Sequence, residues 1–226
     1  MSDERPTYAY YAAFRARPGL RDGGAADALE AAHQAEVLFK EWADRIEVRG
    51  HYSTLGFRTD SDLLMWWVAR SPDDVQDLVA AFRRSPLGRR LESTWSFLGV
   101  HRPPEVAKDH VPAFMRGTEP KRYLCVYPFD RSYEWYLLPR EERAEQLREH
   151  GEMGREFPDV LANTTSNFGL GDFEWILAFE ADDLHRLVDC IRRLRDARAR
   201  RHTRNETPFL TGIRKDPLSD AVRLLV

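Results

Sequence analysis

The sequence has little of what marks an exported, membrane or nucleic-acid-binding protein. Only two cysteines occur, Cys125 and Cys190, and both lie in apolar stretches where buried thiols rather than disulfides are expected. No apolar run approaches the roughly 20 residues that cross a bilayer. Residues 1–7 are polar and precede no apolar signal core, and the net charge of −3 gives no general attraction to nucleic acid. We therefore expect a cytoplasmic protein with neither membrane nor nucleic-acid partners.

The short motifs of common enzyme classes are also missing from the sequence. It contains no glycine-rich nucleotide-binding loop, no HExxH zinc motif, no nucleophile-elbow serine and no CxxC pair. The composition is otherwise ordinary, with 42% apolar and 31% charged residues over 226 positions. A length of this size suits one large domain or two fused small ones.

Hydrophobic periodicity predicts the same order of elements, βαββαβ, in each half of the chain. In the first half the predicted strands are 7–14, 46–58, 63–69 and 93–100, and the helices are 25–42 and a second one that starts after Ser71. Ser71 is a predicted N-cap, with Pro72 at the first helical position. In the second half the predicted strands are 122–127, 159–168, 173–180 and 207–212, and the helices are 138–153 and 182–195.

The two halves also match residue by residue at one place. The string WWVA at 66–69 with DDV at 73–75 recurs as WILA at 175–178 with DDL at 182–184, at a constant offset. A constant offset indicates internal duplication.

We therefore predict an α+β fold made of two fused ferredoxin-like (βαββαβ) halves. The first half covers 7–102 and the second 121–214, with a proline-rich linker at 103–120 between them. Packing the bare sheet faces together would give a pseudo-two-fold dimeric α/β barrel. The tail at 215–226 has no assigned role beyond packing or subunit contact.

Two segments of the second half carry residues suited to chemistry. Residues 127–136 follow a strand directly and alternate aromatic with charged side chains, which fits either a binding loop or a loop that only packs down. In the helix that follows, His150 lies near the apolar stripe, and Gly151 and Gly154 thin that face. A histidine there is either a satisfied edge residue or a lone haem-iron ligand.

A third segment, 192–204, holds seven arginines. Such a run is typical of a solvated helix face, but guanidinium groups also bind carboxylates well. The carboxylate interpretation is the more attractive one if the ligand carries several acid groups.

Taken together, these segments resemble the coproheme decarboxylases of the chlorite dismutase-like superfamily, in their actinobacterial form. The likeness rests on four strings and covers nearly the whole chain. The strings are YPFDRSYEWY at 127–136, EHG at 149–151, DFEWILAFEADDLHR at 172–186 and ARRHTRNETPF at 199–209.

The resemblance implies a haem-biosynthetic enzyme that works as a ring-shaped homopentamer. Its substrate would be iron coproporphyrin III and its product haem b, with two propionates decarboxylated to vinyls and hydrogen peroxide as the oxidant. Transient contact with the coproporphyrin ferrochelatase would be expected.

The resemblance assigns the reacting residues position by position. His150 matches the proximal iron ligand, and Tyr127 matches the tyrosine that becomes a radical and takes hydrogen from a propionate. His110 matches the distal histidine, a base for peroxide.

It also assigns residues that would bind the porphyrin. Arg131 and Trp135 match residues near the propionates, and Trp175 matches a tryptophan that lines the pocket. Arg200 is the propionate partner in the late arginine run, with Arg204 as the rival position.

Three alternatives stay open on the sequence alone. A chlorite-degrading haem enzyme would share the fold and His150 but would not need Tyr127. A haem carrier or sensor would bind the porphyrin without turnover. A barrel with no cofactor would not take up iron porphyrin at all.

Overall fold

Cap and turn signals divide the chain into short strands and helices. The structure is a computed structural model that describes residues 6–103 and 111–226, and His110 lies outside them. The strands are β1 Tyr8–Ala16, β2 Ile46–Ser53, β3 Leu63–Ala69, β4 Leu91–Val100, β5 Tyr123–Arg131, β6 Leu161–Ser166, β7 Trp175–Ala181, β8 Thr203–Asn205 and β9 Leu210–Arg214. The α-helices are α1 Gly19–Asp22, α2 Gly24–Glu41, α3 Pro72–Arg84, α4 Tyr133–Leu137, α5 Arg140–Arg155, α6 Leu184–Leu194 and α7 Leu218–Arg223. Short 3-10 turns cover Gly88–Arg90, Ala113–Arg116 and Arg198–His202.

One compact unit joins the described residues up to His101 with Leu210–Val226. In its antiparallel sheet β1 lies between β3 and β4, and β2 pairs with the other edge of β3. This is the strand order of a ferredoxin-like half, so the predicted α+β class is confirmed. Helices α2 and α3 bury one face, where the rings of Phe39, Trp67 and Phe82 lie within 6.3 Å of one another.

The end of the chain packs into this first unit. Strand β9 pairs with β2, and a Cβ on Gly212 would come within 2.8 Å of the Tyr52 Cβ. Leu218 and Val222 of α7 are fully buried in the core of the unit. We predicted that the second half would extend to 214, whereas the second compact unit ends at Phe209.

The second unit comprises Arg102–Phe209. Strand β7 pairs antiparallel with both β5 and β6, and the short β8 pairs with the end of β5. Helix α6 packs on β7, and α5 packs on α6. Both cysteines are free and buried, as predicted. Among the described residues of the chain no helix has the length and apolar character that a membrane crossing requires.

The aromatic segment after β5 is only partly the loop that the sequence suggests. Residues 133–137 form α4, because Trp135 turns inward and is 5% exposed. Pro139 lies between α4 and α5. Its ring cannot continue α4, and α5 begins directly after it.

The predicted N-cap of α3 gives a test of this local folding. The Ser71 hydroxyl accepts hydrogen bonds from the backbone N–H groups of Asp73 (3.1 Å) and Asp74 (3.5 Å). Ser71→Ala is expected to lower the free energy of unfolding by about 1 kcal/mol. Denaturant unfolding measures this, with Ser71→Asp as a control that keeps the cap and stays near wild type.

Candidate functional site

The candidate site is built on one face of β5. Alternate residues of a strand point to the same face, so Tyr127, Phe129 and Arg131 share one side. Tyr127 packs in an apolar cluster with Phe179 of β7 and Leu187 of α6. This side of β5 is therefore the one covered by α6.

Tyr127 is held rigidly within that face. Its side chain is 4% exposed, and its ring lies 4.5 Å from that of Phe209 and 6.0 Å from that of Phe179. Burial raises the pKa of its phenol far above the usual 10.0. The hydroxyl consequently stays protonated across the physiological pH range, as a hydrogen donor must.

Arg131 is a largely buried cation whose guanidinium has more N–H donors than hydrogen bonds. Its guanidinium lies 4.1 Å from the Trp135 ring centre, and Nη1 donates a 3.0 Å hydrogen bond to the Ala199 carbonyl. Burial lowers its pKa to about 10, which still leaves it charged at pH 7. Within the described chain this guanidinium makes no ion pair. A buried cation without a carboxylate partner is costly, and an acidic ligand would offset that cost.

His150 lies half-buried on α5, and among the described residues neither of its ring nitrogens makes a hydrogen bond. Burial lowers its pKa below the usual 6.5, and the positive charge of Arg131 lowers it further. Its imidazole is therefore neutral at pH 7. A neutral imidazole with an available nitrogen is the form that binds a metal.

The helix that carries His150 is anchored unlike its counterpart in the first unit. Five residues of α2 are buried, Ala28, Ala31, Ala32, Ala35 and Phe39, but only Gln146 of α5 is. Arg198 instead attaches α5 to the 3-10 turn Arg198–His202 through Glu149 (2.6 Å) and Glu145 (2.8 Å). A Cβ added at Gly154 would meet no atom within 4 Å. The surface of α5 one turn after His150 is thus open.

The arginine run separates into groups with different partners. Arg195 and Arg200 both pair with Glu206, whose side chain is only 12% exposed. Arg204 donates a 2.6 Å hydrogen bond to the hydroxyl of Tyr133, which is 72% exposed. Arg200 is therefore grouped with partly buried ionic side chains, whereas Arg204 contacts an exposed ring.

The two tryptophans assigned to the pocket have polar neighbours. Trp175 donates a 3.4 Å hydrogen bond to the Tyr136 hydroxyl, which in turn donates one of 2.8 Å to Glu174. The same Glu174 oxygen accepts the backbone N–H of Arg131 at 2.8 Å. Trp135 packs against the His202 ring at 5.5 Å.

Sequence reasoning did not single out two acidic residues of this site, Glu174 and Glu206. Glu206 could have been suspected as the one acid in the arginine-rich string at 199–209. Nothing in the sequence pointed to Glu174, since acids beside strands are common. Six of the predicted site residues lie in the second unit: Tyr127, Arg131, Trp135, Trp175, His150 and Arg200. Arg204 donates a hydrogen bond to the exposed Tyr133.

Comparison with known proteins places this geometry in a family. The family model for chlorite dismutase matches residues 28–215. The chain belongs to the chlorite dismutase family. A curated relative, the coproheme decarboxylase of Mycolicibacterium smegmatis, is 48% identical over 209 residues, which are 92% of this chain and 89% of the relative. The coproheme decarboxylase of Staphylococcus saprophyticus is 39% identical over 66 residues, 27% of this chain and 26% of its own.

Solved chlorite dismutase structures share the fold at lower identity. The enzyme of Candidatus Nitrospira defluvii in complex with imidazole superposes with a TM-score of 0.87 at 24% identity, over 96% of this chain and 94% of that one. A mutant of that enzyme in complex with cyanide gives 0.87 at 23%, over the same shares of the two chains. At these identities the likeness shows the fold alone.

Proposed function

We propose that this chain is a coproheme decarboxylase that converts iron coproporphyrin III to haem b, the last step of coproporphyrin-dependent haem synthesis, in the cytoplasm. For each of two propionates, the side chain and one hydrogen peroxide would yield a vinyl group, carbon dioxide and two waters. The Mycolicibacterium smegmatis relative, similar over 92% of this chain, carries that name. The bound iron porphyrin supplies the activation of peroxide, and the protein supplies orientation and a hydrogen-transfer residue.

The observation that carries the proposal is the buried phenol of Tyr127. A propionate loses its carboxyl group after a hydrogen atom is removed from its chain, and a phenol that gives up its own hydrogen can remove it. Tyr127 lies against Phe179 and Phe209, away from solvent that would quench such an oxidised ring. Its raised pKa keeps the hydrogen on the oxygen until it is transferred.

The surrounding residues fit a tetra-acid iron porphyrin. His150 would bind the iron through a neutral ring nitrogen. Arg131 would bind a propionate, because its buried guanidinium makes no ion pair among the residues that the structure describes. Trp135 and Trp175 would border the ring, and Arg200 would bind a second propionate. We place Arg204 outside the site, since it contacts the exposed Tyr133.

Three further assignments follow the resemblance alone. His110 would carry a proton between the peroxide oxygens, a role suited to imidazole. The working form would be a homopentamer. Transient contact with the coproporphyrin ferrochelatase would deliver the substrate.

The reaction itself is tested with the purified protein. Iron coproporphyrin III is mixed with the protein, hydrogen peroxide is added stepwise, and the porphyrins are identified by chromatography and mass. We expect loss of two carboxyl groups in turn, through a three-propionate species to haem b. Tight binding followed only by bleaching would sink the decarboxylase proposal.

Chlorite degradation is the second candidate, because the family model that matches residues 28–215 is that of chlorite dismutase. Oxygen release on addition of chlorite, measured with an oxygen electrode, distinguishes it from decarboxylation. A carrier or sensor would bind iron coproporphyrin III and show neither reaction.

The role of Arg131 gives a quantitative test of binding. Arg131→Leu removes the guanidinium group but keeps an apolar contact with Trp135. We expect it to weaken coproheme binding by roughly 10- to 100-fold, the value of one charge-assisted hydrogen-bonded contact. Absorbance titration measures the dissociation constant, and thermal melting checks the fold. Arg204→Leu is the matched control and should change the constant less than about threefold. Equal weakening by both variants would argue against Arg131 as the specific contact.

A further inference from the structure

A single acidic side chain neutralises two arginines at the edge of the site. Glu206 follows β8 directly and pairs with both Arg195 and Arg200. Its side chain is 12% exposed, against 34% for Arg195 and 40% for Arg200, so the carboxylate is the most enclosed member of the group. From this arrangement we propose that Glu206 is an internal counter-ion that occupies the two arginines in the free protein and gives them up to a reacting propionate of the substrate.

The backbone around Glu206 is fixed on both sides. Asn205, immediately before it, donates a 3.2 Å hydrogen bond to the buried Asp130 of β5. Thr207, immediately after it, donates its backbone N–H to the Asn205 side chain at 3.3 Å. Glu206 can therefore release its partners by rotating its side chain, while the strand that carries it stays in place.

The Glu206 carboxylate belongs to the same part of the unit as Tyr127, the residue proposed to react with the substrate. Phe209, three residues after Glu206, stacks on the Tyr127 ring at 4.5 Å, and Leu194, next to Arg195, packs against the same apolar cluster. Glu206 and its two arginines are thus attached to the apolar cluster that holds Tyr127, so a propionate that replaces Glu206 would lie beside the residue proposed to take hydrogen from it.

Charge balance explains why such a residue is useful. Without Glu206, the half-buried Arg195 and the exposed Arg200 would lie side by side as uncompensated like charges, which costs stability. A propionate beside Glu206 would in turn meet a like charge, so the two carboxylates exclude each other. Once a propionate has become a vinyl group it can no longer pair with arginine, and Glu206 returns to both arginines. The four-carboxylate substrate therefore competes with Glu206, whereas the two-carboxylate product does not.

This inference rests on the proposed function, and it is tested by binding without peroxide. Wild type and Glu206→Gln are titrated with iron coproporphyrin III and with haem b, and absorbance gives the dissociation constants. We expect the variant to bind coproheme about tenfold more tightly, because a propionate no longer competes with Glu206 for a charge-assisted contact to arginine. Its affinity for haem b should stay within about twofold, because no exchange takes place there.

A second readout separates exchange from a purely structural role. Ligand-free Glu206→Gln should melt at a lower temperature than wild type. Saturating coproheme should remove this difference in melting temperature. Tighter substrate binding in a less stable protein is the combination that a residue needed only to orient the arginines would not give. Glu156→Gln is the matched control, since Glu156 pairs with Arg193 on the surface at 2.9 Å and should leave coproheme affinity unchanged.

The outcomes distinguish this inference from the function on which it rests. Weaker coproheme binding by Glu206→Gln, or equal tightening of coproheme and haem b, would overturn the exchange while leaving decarboxylation by the wild type intact. Failure of the wild type to bind or convert coproheme would overturn both.

Discussion

Replacing Tyr127 with phenylalanine is expected to abolish conversion of coproheme to haem b while leaving coproheme binding intact. The change removes one oxygen atom and keeps the ring that packs at 4.5 Å on Phe209 and 6.0 Å on Phe179. Without the phenol, no hydrogen can be passed to or from this position. We expect a fall in rate of at least about 100-fold, or about 2.7 kcal/mol of activation free energy. Chromatography of the porphyrins after peroxide addition measures it.

The same strand offers a control for this substitution. Tyr123 is half-buried, packs against the same apolar cluster and contacts Arg122 at 5.3 Å. Tyr123→Phe should therefore convert coproheme at close to the wild-type rate. If Tyr127→Phe also formed haem b at the wild-type rate, the hydrogen-transfer step would have to be assigned to another residue.

The order of elements in the first half, and in the second half up to the helix at 182–195, could be predicted because each carries its own local signal. The strand predicted at 207–212 as the last of the second half is wrong, since β9 pairs with β2 of the first unit. The period of apolar residues in 63–69 and 173–180 gives strands, and Ser71 with Pro72 marks a helix start that the structure confirms. The position of 210–226 could not be predicted. Its packing on α2 and β2 depends on contacts with residues far away in the chain, as between Ser219 and Glu36, which are 183 positions apart.

Helix α4 was missed for a related reason. Its five residues are too few to show a helical period, and they are helical because Trp135 packs inward against Arg131 and His202. Tertiary contacts rather than intrinsic propensity decide the conformation of so short a segment.

The arginine run shows where charge arguments from sequence reach their limit. As a single helix face, residues 192–204 would all be solvated. In the structure α6 ends at Leu194 and a 3-10 turn covers Arg198–His202, so neighbouring arginines point to different partners. The identity of those partners, above all Glu206, depends on the fold of the whole unit. The roles proposed for His150 and Tyr127 rest on the family resemblance, and the structure adds the burial and electrostatics of the two side chains.

Replacing His150 with alanine is expected to remove the protein's ligand to the porphyrin iron and, with it, at least about 100-fold of the decarboxylation rate, or about 2.7 kcal/mol of activation free energy. Its half-buried position on α5 lets the vacated volume accept free imidazole, which should restore the wild-type absorbance spectrum in part. His185→Ala is the matched control, because His185 is exposed on the next helix. An unchanged spectrum in His150→Ala would place the iron ligand elsewhere.

The wild-type spectrum should also report the pKa of His150. Protons and iron compete for the same imidazole nitrogen, so coordination weakens as the pH falls through the pKa of the free site. Because burial and the charge of Arg131 hold that pKa below 6.5, coordination should persist at a pH where an exposed histidine is already half protonated. Removing the positive charge in Arg131→Leu should raise the pKa and shift the loss of coordination to higher pH. A shift to lower pH, read from the absorbance of the bound porphyrin, would contradict the electrostatic coupling between these two side chains.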